Sequence, residues 1–153
     1  MKYEDIYTGV FEKTLSPKRN DEETDFLNAI VETLEQISEY GESIVRNILN
    51  NVVFIFQKDT GLTQSWKGYP SNTIVISFDL HKLLNEEQNE DGSPDRDRIK
   101  SIIAHECAHY TLRHYILPKV KTFEELEEER IKRETEADDL SESWGFERVN
   151  NYE

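Results

Sequence analysis

The stretch "IIAHECAHYT", residues 102–111, decides the fold, because it contains the pattern His-Glu-x-x-His at His105, Glu106 and His109. Small and apolar residues surround the two histidines, which favours a buried helix over a solvated one. Residues i and i+4 of a helix lie one turn apart on the same face, so both imidazoles can point at one metal ion. Glu106 then flanks the metal, where a general base can take a proton from a metal-bound water.

A catalytic zinc usually takes three protein ligands and leaves its fourth position to water, so the motif needs a further ligand. The metzincin pattern does not supply it, because that pattern needs a glycine and a ligand at the third and sixth positions after His109. Those positions hold Leu112 and Tyr115. The next residue to consider, His114, is expected to be a surface or structural histidine.

An acidic helix predicted over residues 122–143 offers carboxylates for this role. Glu134 and Asp138 stand four residues apart on one face, and the small Ala137 lets the helix approach the motif helix closely. Glu136 competes with Glu134 as the ligand. It points about 200° away around the helix, however, and does not share the face of Asp138.

The Glu-x-x-Ala-Asp pattern after a His-Glu-x-x-His helix resembles the gluzincin class of zinc peptidases. The order of elements over roughly residues 50–145 is similar to the minimal core that small cytoplasmic ImmA/IrrE-type peptidases share with larger membrane-bound CAAX-prenyl-protease-like enzymes. The resemblance implies one Zn²⁺ ion held by three ligands: His105, His109 and Glu134. It further implies that Asp138 hydrogen-bonds the free ring nitrogen of His105 and that Glu106 is the general base.

The oxyanion donor of this resembled class is not assigned by the sequence. Many such enzymes place a His, Tyr or Arg after the glutamate helix, to hold the negative oxygen that forms during hydrolysis. The candidates in this chain lie in the tail or on and near the motif helix: Arg148, Tyr152, Tyr110, His114 and Tyr115.

The sequence predicts an α+β fold in a single domain over residues 1–153, with helices packed on a small sheet. An N-terminal helical part is expected over 1–50 and the zincin core over 51–153. Apolar residues at steps of three or four predict one helix over 21–50, weakened or bent at Gly41. The motif helix is expected over 94–116, with Ser93 as its N-cap.

The predicted sheet has two or three strands. Runs of β-branched and aromatic residues predict strands at 52–57 and 73–79, and a third is an open alternative at 62–67. In the resembled family the strand before the motif helix borders the cleft, so 73–79 is expected to be an exposed edge that an extended peptide can join. The alternative is that this strand is internal, or is covered by residues 1–19.

Composition limits the partners. The chain has 18 Lys and Arg against 32 Asp and Glu, a formal net charge of −14 at pH 7, which disfavours direct nucleic-acid binding. Such a surface would attract basic proteins or peptides, but the preferred explanation is that the charge only keeps the protein soluble. The single cysteine, Cys107, is expected to be a small packing residue, and no internal disulfide can form. No apolar run is long enough for a signal segment or a membrane span, so a cytoplasmic location is expected.

The function that the sequence favours is zinc-dependent hydrolysis of peptide bonds in a protein partner. The alternative is a non-catalytic or regulatory protein-binding domain with the same fold, of the kind found in phage or mobile-element systems. A purely structural zinc domain is disfavoured, because two histidines and one glutamate leave a coordination position open.

Overall fold

The computed structural model describes residues 1–15, 20–64 and 73–150, and these residues form six helices packed on one four-stranded mixed sheet. The helices are α1 (Tyr3–Glu12), α2 (Asp21–Ser38), α3 (Glu42–Asn51), α4 (Leu80–Glu86), α5 (Arg96–Thr111) and α6 (Phe123–Ser143). The strands are β1 (Thr14–Leu15), β2 (Val52–Phe56), β3 (Gly61–Gln64) and β4 (Ile74–Phe78). The α+β class is confirmed, while the predicted strand number was too low.

The order of the sheet is β1-β2-β4-β3, with β1 and β2 and then β2 and β4 parallel, and β3 antiparallel to β4. The prediction that β4 is an exposed edge was wrong, because Val75 pairs with Val53 on one side and with Thr63 on the other. All five side chains of β4 are buried, as is typical of an apolar strand with neighbours on both sides. Within the described residues, β3 is the outer strand at this end of the sheet.

The helix predicted over 21–50 is two helices with a break at residues 39–41. The N–H groups of Tyr40 and Gly41 donate to the carbonyl of Ile37, which closes α2, and Gly41 then becomes the N-cap of α3. The spacing of apolar residues continues from α2 into α3, because both helices bury their apolar faces in the same core. At the other end of α2, the Asn20 side chain accepts the N–H of Glu23 at 2.9 Å and caps the helix.

Two N-terminal elements were not predicted. Helix α1 buries only Ile6 and Val10, which stand one turn apart and are too few to give a clear helical pattern. Strand β1 has two residues and exists only through its pairing with β2, so no local pattern can reveal it. Residues 65–67 of the possible third strand, which include Trp66, lie outside the described part of the chain.

The motif helix α5 starts and ends differently from the prediction. Its N-cap is Asp95, whose side chain accepts the N–H of Arg98 at 3.1 Å, and not Ser93. It ends at Thr111, because the N–H of His114 donates to the carbonyl of His109 and the chain turns there, well before Pro118. A helix end closed in this way is a Schellman turn, which normally needs one residue in the left-handed conformation.

Arg113 supplies that left-handed residue with φ 60°, a conformation that glycine adopts at no steric cost. We expect Arg113→Gly to raise the free energy of unfolding by about 1 kcal/mol, because relief of the roughly 1–2 kcal/mol strain exceeds the entropy that glycine adds to the unfolded chain. Urea unfolding followed by circular dichroism measures this. Arg113→Ala keeps the Cβ and should give no gain, and an equal gain from both variants would contradict the strain explanation.

Helix α5 contacts α2, α3, α6 and β3. Ten consecutive residues of α5, 101–110, are buried. Ala104 and Ala108 on α5 and Ala137 on α6 are fully buried, and these small side chains let the two helices approach closely. No helix in the described ranges is both long and apolar enough to cross a membrane.

Candidate metal centre

Helices α5 and α6 bring the three predicted ligands together. His105 and His109 stand one turn apart on α5, and their Nε2 atoms lie 3.0 Å from each other. Glu134 on α6 faces both: its Oε2 lies 3.0 Å from His105 Nε2 and its Oε1 lies 3.0 Å from His109 Nε2. Within the described residues, these three side chains form the one cluster of His, Cys, Asp and Glu that could hold a metal ion.

The dimensions of the cluster can be tested against a tetrahedral zinc. Bonds of about 2.0–2.1 Å to nitrogen and oxygen place tetrahedral ligand atoms about 3.3 Å apart. The separations of 3.0 Å among His105, His109 and Glu134 therefore fit such an ion after an expansion of a few tenths of an ångström.

The Nδ1 atoms of His105 and His109 both have hydrogen-bond partners, and these partners determine whether the Nε2 atoms carry a proton. His105 Nδ1 lies 2.9 Å from Asp138 Oδ1, so the ring donates its proton to that carboxylate. His109 Nδ1 lies 2.8 Å from His114 Nδ1 and in the same tautomer donates to that ring. Both Nε2 atoms then present lone pairs to the Glu134 carboxylate. With both rings neutral in this tautomer, three acceptors converge, and a positive charge, either a metal ion or a proton on a ring, relieves that repulsion.

The electrostatics of the cluster also favour positive charge at its centre. Burial lowers the pKa of His105, but the carboxylates of Glu134, Glu106 and Asp138 outweigh burial and raise it. Burial likewise acts to raise the pKa of Glu134, but hydrogen bonds to His105 and His109 outweigh it and hold that pKa well below its usual range. The folded chain thus keeps Glu134 ionised next to the two rings, as a ligand must be.

Asp138 occupies the position that the sequence predicted for it beside His105. Its side chain is fully buried and accepts three hydrogen bonds. One comes from His105 Nδ1 at 2.9 Å, and the others come from the backbone N–H groups of Val149 at 2.9 Å and Asn150 at 3.1 Å. These bonds hold the carboxylate, and through it the ring of His105, in one orientation.

His114, expected to be a surface or structural histidine, lies against His109. The Schellman turn after α5 folds the chain back, so that the His114 ring reaches Nδ1 of His109. Arg133 on α6 donates to the carbonyl of His114 at 2.8 Å and holds the turn in place. Burial, His109 and Arg133 lower the pKa of His114 to about 4, so its ring is neutral and can accept a proton from His109.

Glu106 points away from the core into the cleft, as a general base requires. Its side chain is nearly buried, and burial raises its pKa despite the nearby rings of His109 and His105. A carboxylate with a raised pKa holds a proton more readily than one in water, which suits it to proton transfer near neutral pH.

Two cavities meet at the cluster, and Glu106 and Glu134 line both. The larger has a volume of about 750 Å³ and extends past Arg98 and Asn150. The smaller has a volume of about 240 Å³ and extends along Leu62 of β3. A chain that lies in the cleft can therefore continue on both sides of the cluster.

Of the predicted oxyanion donors that the structure describes, only His114 borders one of these two cavities, the smaller one, and it contacts His109. Tyr110 and Tyr115 face a separate cavity next to α3. Arg148 pairs with Asp139 at 2.6 Å, and Tyr152 lies outside the described residues.

Asn150, which the sequence analysis did not single out, does reach the cluster. Its Nδ2 donates to Glu134 Oε2 at 2.7 Å, and its side chain lines the larger cavity beside Glu106. Arg98 holds this segment in place by donating to the carbonyls of Arg148 and Val149 at 3.0 Å each. No sequence spacing links Asn150 to the motif, so only the folded chain reveals it.

Two alternative ligands are separated from the cluster. Glu136 has its carboxylate 3.8 Å from His114 Nε2 and is not part of the metal-binding group. Cys107 is fully buried between helices, where burial and Glu106 raise the pKa of its thiol to about 12. The choice of Glu134 over Glu136 as the ligand and the packing role of Cys107 stay predictions.

The arrangement can act chemically in two known ways. Two histidines and one carboxylate hold Zn²⁺ in many hydrolases and Fe²⁺ in non-haem oxygenases, and both uses leave coordination positions open. A buried carboxylate beside the open side, here Glu106, is what hydrolysis requires. In comparisons with known proteins, no protein-family model, no curated protein and no solved structure matches this chain.

Proposed function

We propose that the chain is a zinc-dependent peptidase that hydrolyses peptide bonds of a protein partner. One observation carries the proposal: the Nε2 atoms of His105 and His109 lie 3.0 Å apart, and each lies 3.0 Å from one oxygen of Glu134. This cluster stands where two cavities meet, and the buried Glu106 lines both. A structural zinc site would be closed by a fourth protein ligand, whereas the described part of the chain offers three ligands at this cluster, which opens to a cleft.

The bound Zn²⁺ would lower the pKa of a water molecule towards neutrality and polarise the carbonyl that is attacked. His105, His109 and Glu134 would hold the ion, and Asp138 and His114 would fix the two rings. Glu106 would accept the proton of the attacking water and later give it to the departing amine, because its raised pKa favours both transfers. Asn150 would hold the Glu134 carboxylate in its orientation.

The substrate would lie extended along β3 and not along β4. Gly61 and Leu62 line the smaller cavity together with Glu106 and Glu134, so β3 forms one wall of the cleft. Within the described residues β3 is the outer strand at this end of the sheet, and an outer strand offers unpaired backbone N–H and C=O groups. An extended peptide can add to it at the usual strand separation of about 4.8 Å, without side-chain recognition. The net charge of −14 favours basic segments of the partner protein.

Metal content tests the ligand assignment. We expect one zinc per chain in protein purified without chelators. Loss of zinc is expected in Glu134→Ala, because two protein ligands do not hold the ion as a catalytic site does. Inductively coupled plasma mass spectrometry after gel filtration measures the ratio. Glu136→Ala is the matched control and should keep its zinc. Iron in place of zinc, or full zinc content in Glu134→Ala, would refute the assignment.

A further inference from the structure

The proposed reaction needs a hydrogen-bond donor in the cleft besides the ligands and the base. Hydrolysis of a peptide bond puts negative charge on the carbonyl oxygen, and a donor aimed at that oxygen stabilises it. The candidates in the described part of the chain are turned elsewhere or, in the case of His114, bonded to His109. The structure instead places the side-chain amide of Asn150 at the cluster.

The amide of Asn150 can face the cluster in one way only. Its neighbour there is Glu134 Oε2 at 2.7 Å, and an ionised carboxylate only accepts hydrogen bonds. The Nδ2 group therefore points at Glu134, and the amide oxygen points away from it. Nδ2 carries two hydrogens, and this bond uses one. Within the described part of the chain, no group accepts the second hydrogen.

The Nδ2 group lies on the side of the cluster where the larger cavity opens. Glu134 Oε2, which Asn150 contacts, is the oxygen that lies 3.0 Å from His105 Nε2. The side chains of His105, Glu106, Glu134 and Asn150 all line the larger cavity. A substrate oxygen that joins the three ligand atoms would stand about 3.3 Å from Glu134 Oε2, the separation of neighbouring tetrahedral ligands. That oxygen and Nδ2 would thus neighbour one carboxylate oxygen and face one cavity.

The backbone around Asn150 is fixed by hydrogen bonds on both sides. The N–H groups of Val149 and Asn150 donate to Asp138 at 2.9 Å and 3.1 Å. Arg98 donates to the carbonyls of the two residues before Asn150 at 3.0 Å each. A donor held in this way needs little reorganisation when charge develops on the substrate, which is the condition for strong stabilisation. Since Asp138 also orients His105, one buried carboxylate positions both a ligand and the donor.

Other donors in the two cavities are engaged elsewhere or exposed to water. Arg98 and Arg133 hold backbone carbonyls, and the Thr60 hydroxyl accepts a backbone N–H at 2.9 Å. Besides the two histidine ligands, Asn150 is the one described residue whose side chain lies within hydrogen-bond distance of the Glu134 carboxylate. Three further donors line the larger cavity at exposed positions, where water competes for their hydrogens: Lys58, His81 and Lys82.

We infer that Asn150 is a catalytic residue, whose free N–H donates to the carbonyl oxygen of the scissile bond as that oxygen becomes negative. The inference rests on the proposed peptidase function, because it assigns a role within that reaction. It adds to the hold on Glu134 already described: one hydrogen of Nδ2 serves the ligand, and the other serves the substrate.

The role of Asn150 follows the movement of charge during hydrolysis. The oxygen of the attacking water bonds to the carbonyl carbon, the electron pair of the C=O π bond moves to the carbonyl oxygen, and Glu106 takes the proton of the water. When the C–N bond breaks, that electron pair re-forms the C=O bond and Glu106 gives its proton to the amine nitrogen. The N–H therefore binds the charged oxygen more strongly than the neutral carbonyl, which raises kcat.

Asn150→Ala removes the donor and tests the inference by kinetics. With zinc added to saturation, we expect kcat for a lysine-containing peptide to fall by about 10²–10³-fold and KM to change by less than about 3-fold. Saturation with zinc separates this effect from a weaker hold on Glu134, which would lower the affinity for zinc. Asn50→Ala is the matched control. It makes the same deletion at an exposed position of α3 and should keep the wild-type rate.

A binding measurement gives a second readout that needs no turnover. A lysine-containing phosphinic pseudopeptide has –PO₂⁻–CH₂– in place of one peptide bond, and so presents a negative oxygen on a tetrahedral centre. Isothermal titration calorimetry should show its Kd weakened by about 10-fold or more in Asn150→Ala and unchanged in Asn50→Ala. The uncut peptide, measured in the Glu106→Gln background, should bind equally well with and without Asn150→Ala, because its carbonyl is neutral.

The outcomes separate the donor from the peptidase proposal. A wild-type kcat in Asn150→Ala at saturating zinc, or an equal Kd for the pseudopeptide, would overturn the donor inference and leave the peptidase proposal standing. A wild-type chain that binds the pseudopeptide through Asn150 but cleaves no peptide would support the donor and refute the peptidase. A wild-type chain that neither binds the pseudopeptide nor cleaves a peptide would overturn both.

Discussion

Glu106→Gln is expected to lower kcat for peptide hydrolysis by about 10²–10⁴-fold or more while zinc content and fold stay unchanged. The amide has nearly the shape of the carboxylate but cannot accept a proton from the attacking water. Glu106 is nearly buried and its pKa is raised by burial, so a neutral amide is well tolerated at this position. Circular dichroism, zinc content and initial rates on a lysine-containing peptide measure the three quantities.

Glu128→Gln is the matched control, because it makes the same chemical change at an exposed position of α6. It should keep the wild-type rate. The KM of Glu106→Gln should change much less than kcat, since the proton transfer is absent from substrate binding. A wild-type rate in Glu106→Gln would exclude Glu106 as the base. Zinc binding without hydrolysis in the wild-type chain would instead favour a regulatory binding domain.

Asp138→Ala is expected to lower the free energy of unfolding by about 3–5 kcal/mol, the range for removing one partner of a buried polar cluster. The change leaves the N–H groups of His105, Val149 and Asn150 without an acceptor, because all three donate to this fully buried carboxylate. Asp139→Ala is the matched control. Its side chain is exposed and pairs with Arg148 at the surface, so it should cost less than about 1 kcal/mol.

Asp138→Asn separates the effect on the metal from the effect on folding. It keeps the shape and one acceptor oxygen, but its amide group cannot accept the remaining hydrogen bonds. Zinc affinity is expected to fall by about 10–100-fold, because the ring of His105 loses the group that orients it and raises its basicity. Competition with a fluorescent chelator measures the affinity, and urea unfolding measures stability. Unchanged zinc affinity in Asp138→Asn would show that Asp138 serves the fold alone.

The sequence could place the three candidate ligands because helical periodicity is local. A spacing of four residues determines which side chains share a face, whatever the rest of the chain does. The order of the strands is not local, and the interpretation of β4 as an edge failed because the short antiparallel β3 covers its far side. The break at Gly41 was anticipated only as a weak point, since tertiary packing decides whether such a helix bends or divides.

Two contacts around the cluster could not be predicted from the sequence, because they too depend on packing between distant parts of the chain. His114 reaches His109 only because Arg113 adopts a left-handed conformation that its residue type does not favour. Asn150 reaches Glu134 only because Arg98 and Asp138 hold its backbone. The gluzincin resemblance, the cytoplasmic location and the single-domain boundary stay predictions.

The burial of Cys107 makes the protein suitable for distance measurements between spin labels on introduced cysteines. Its thiol is the only one in the chain, is fully buried, and has a pKa raised to about 12, so it has almost no thiolate to react with alkylating labels at neutral pH. Cysteines introduced at exposed positions such as Thr63 on β3 and Lys132 on α6 would then be the only sites labelled. Two spin labels placed there would report the width of the cleft directly, with the native motif helix left unaltered.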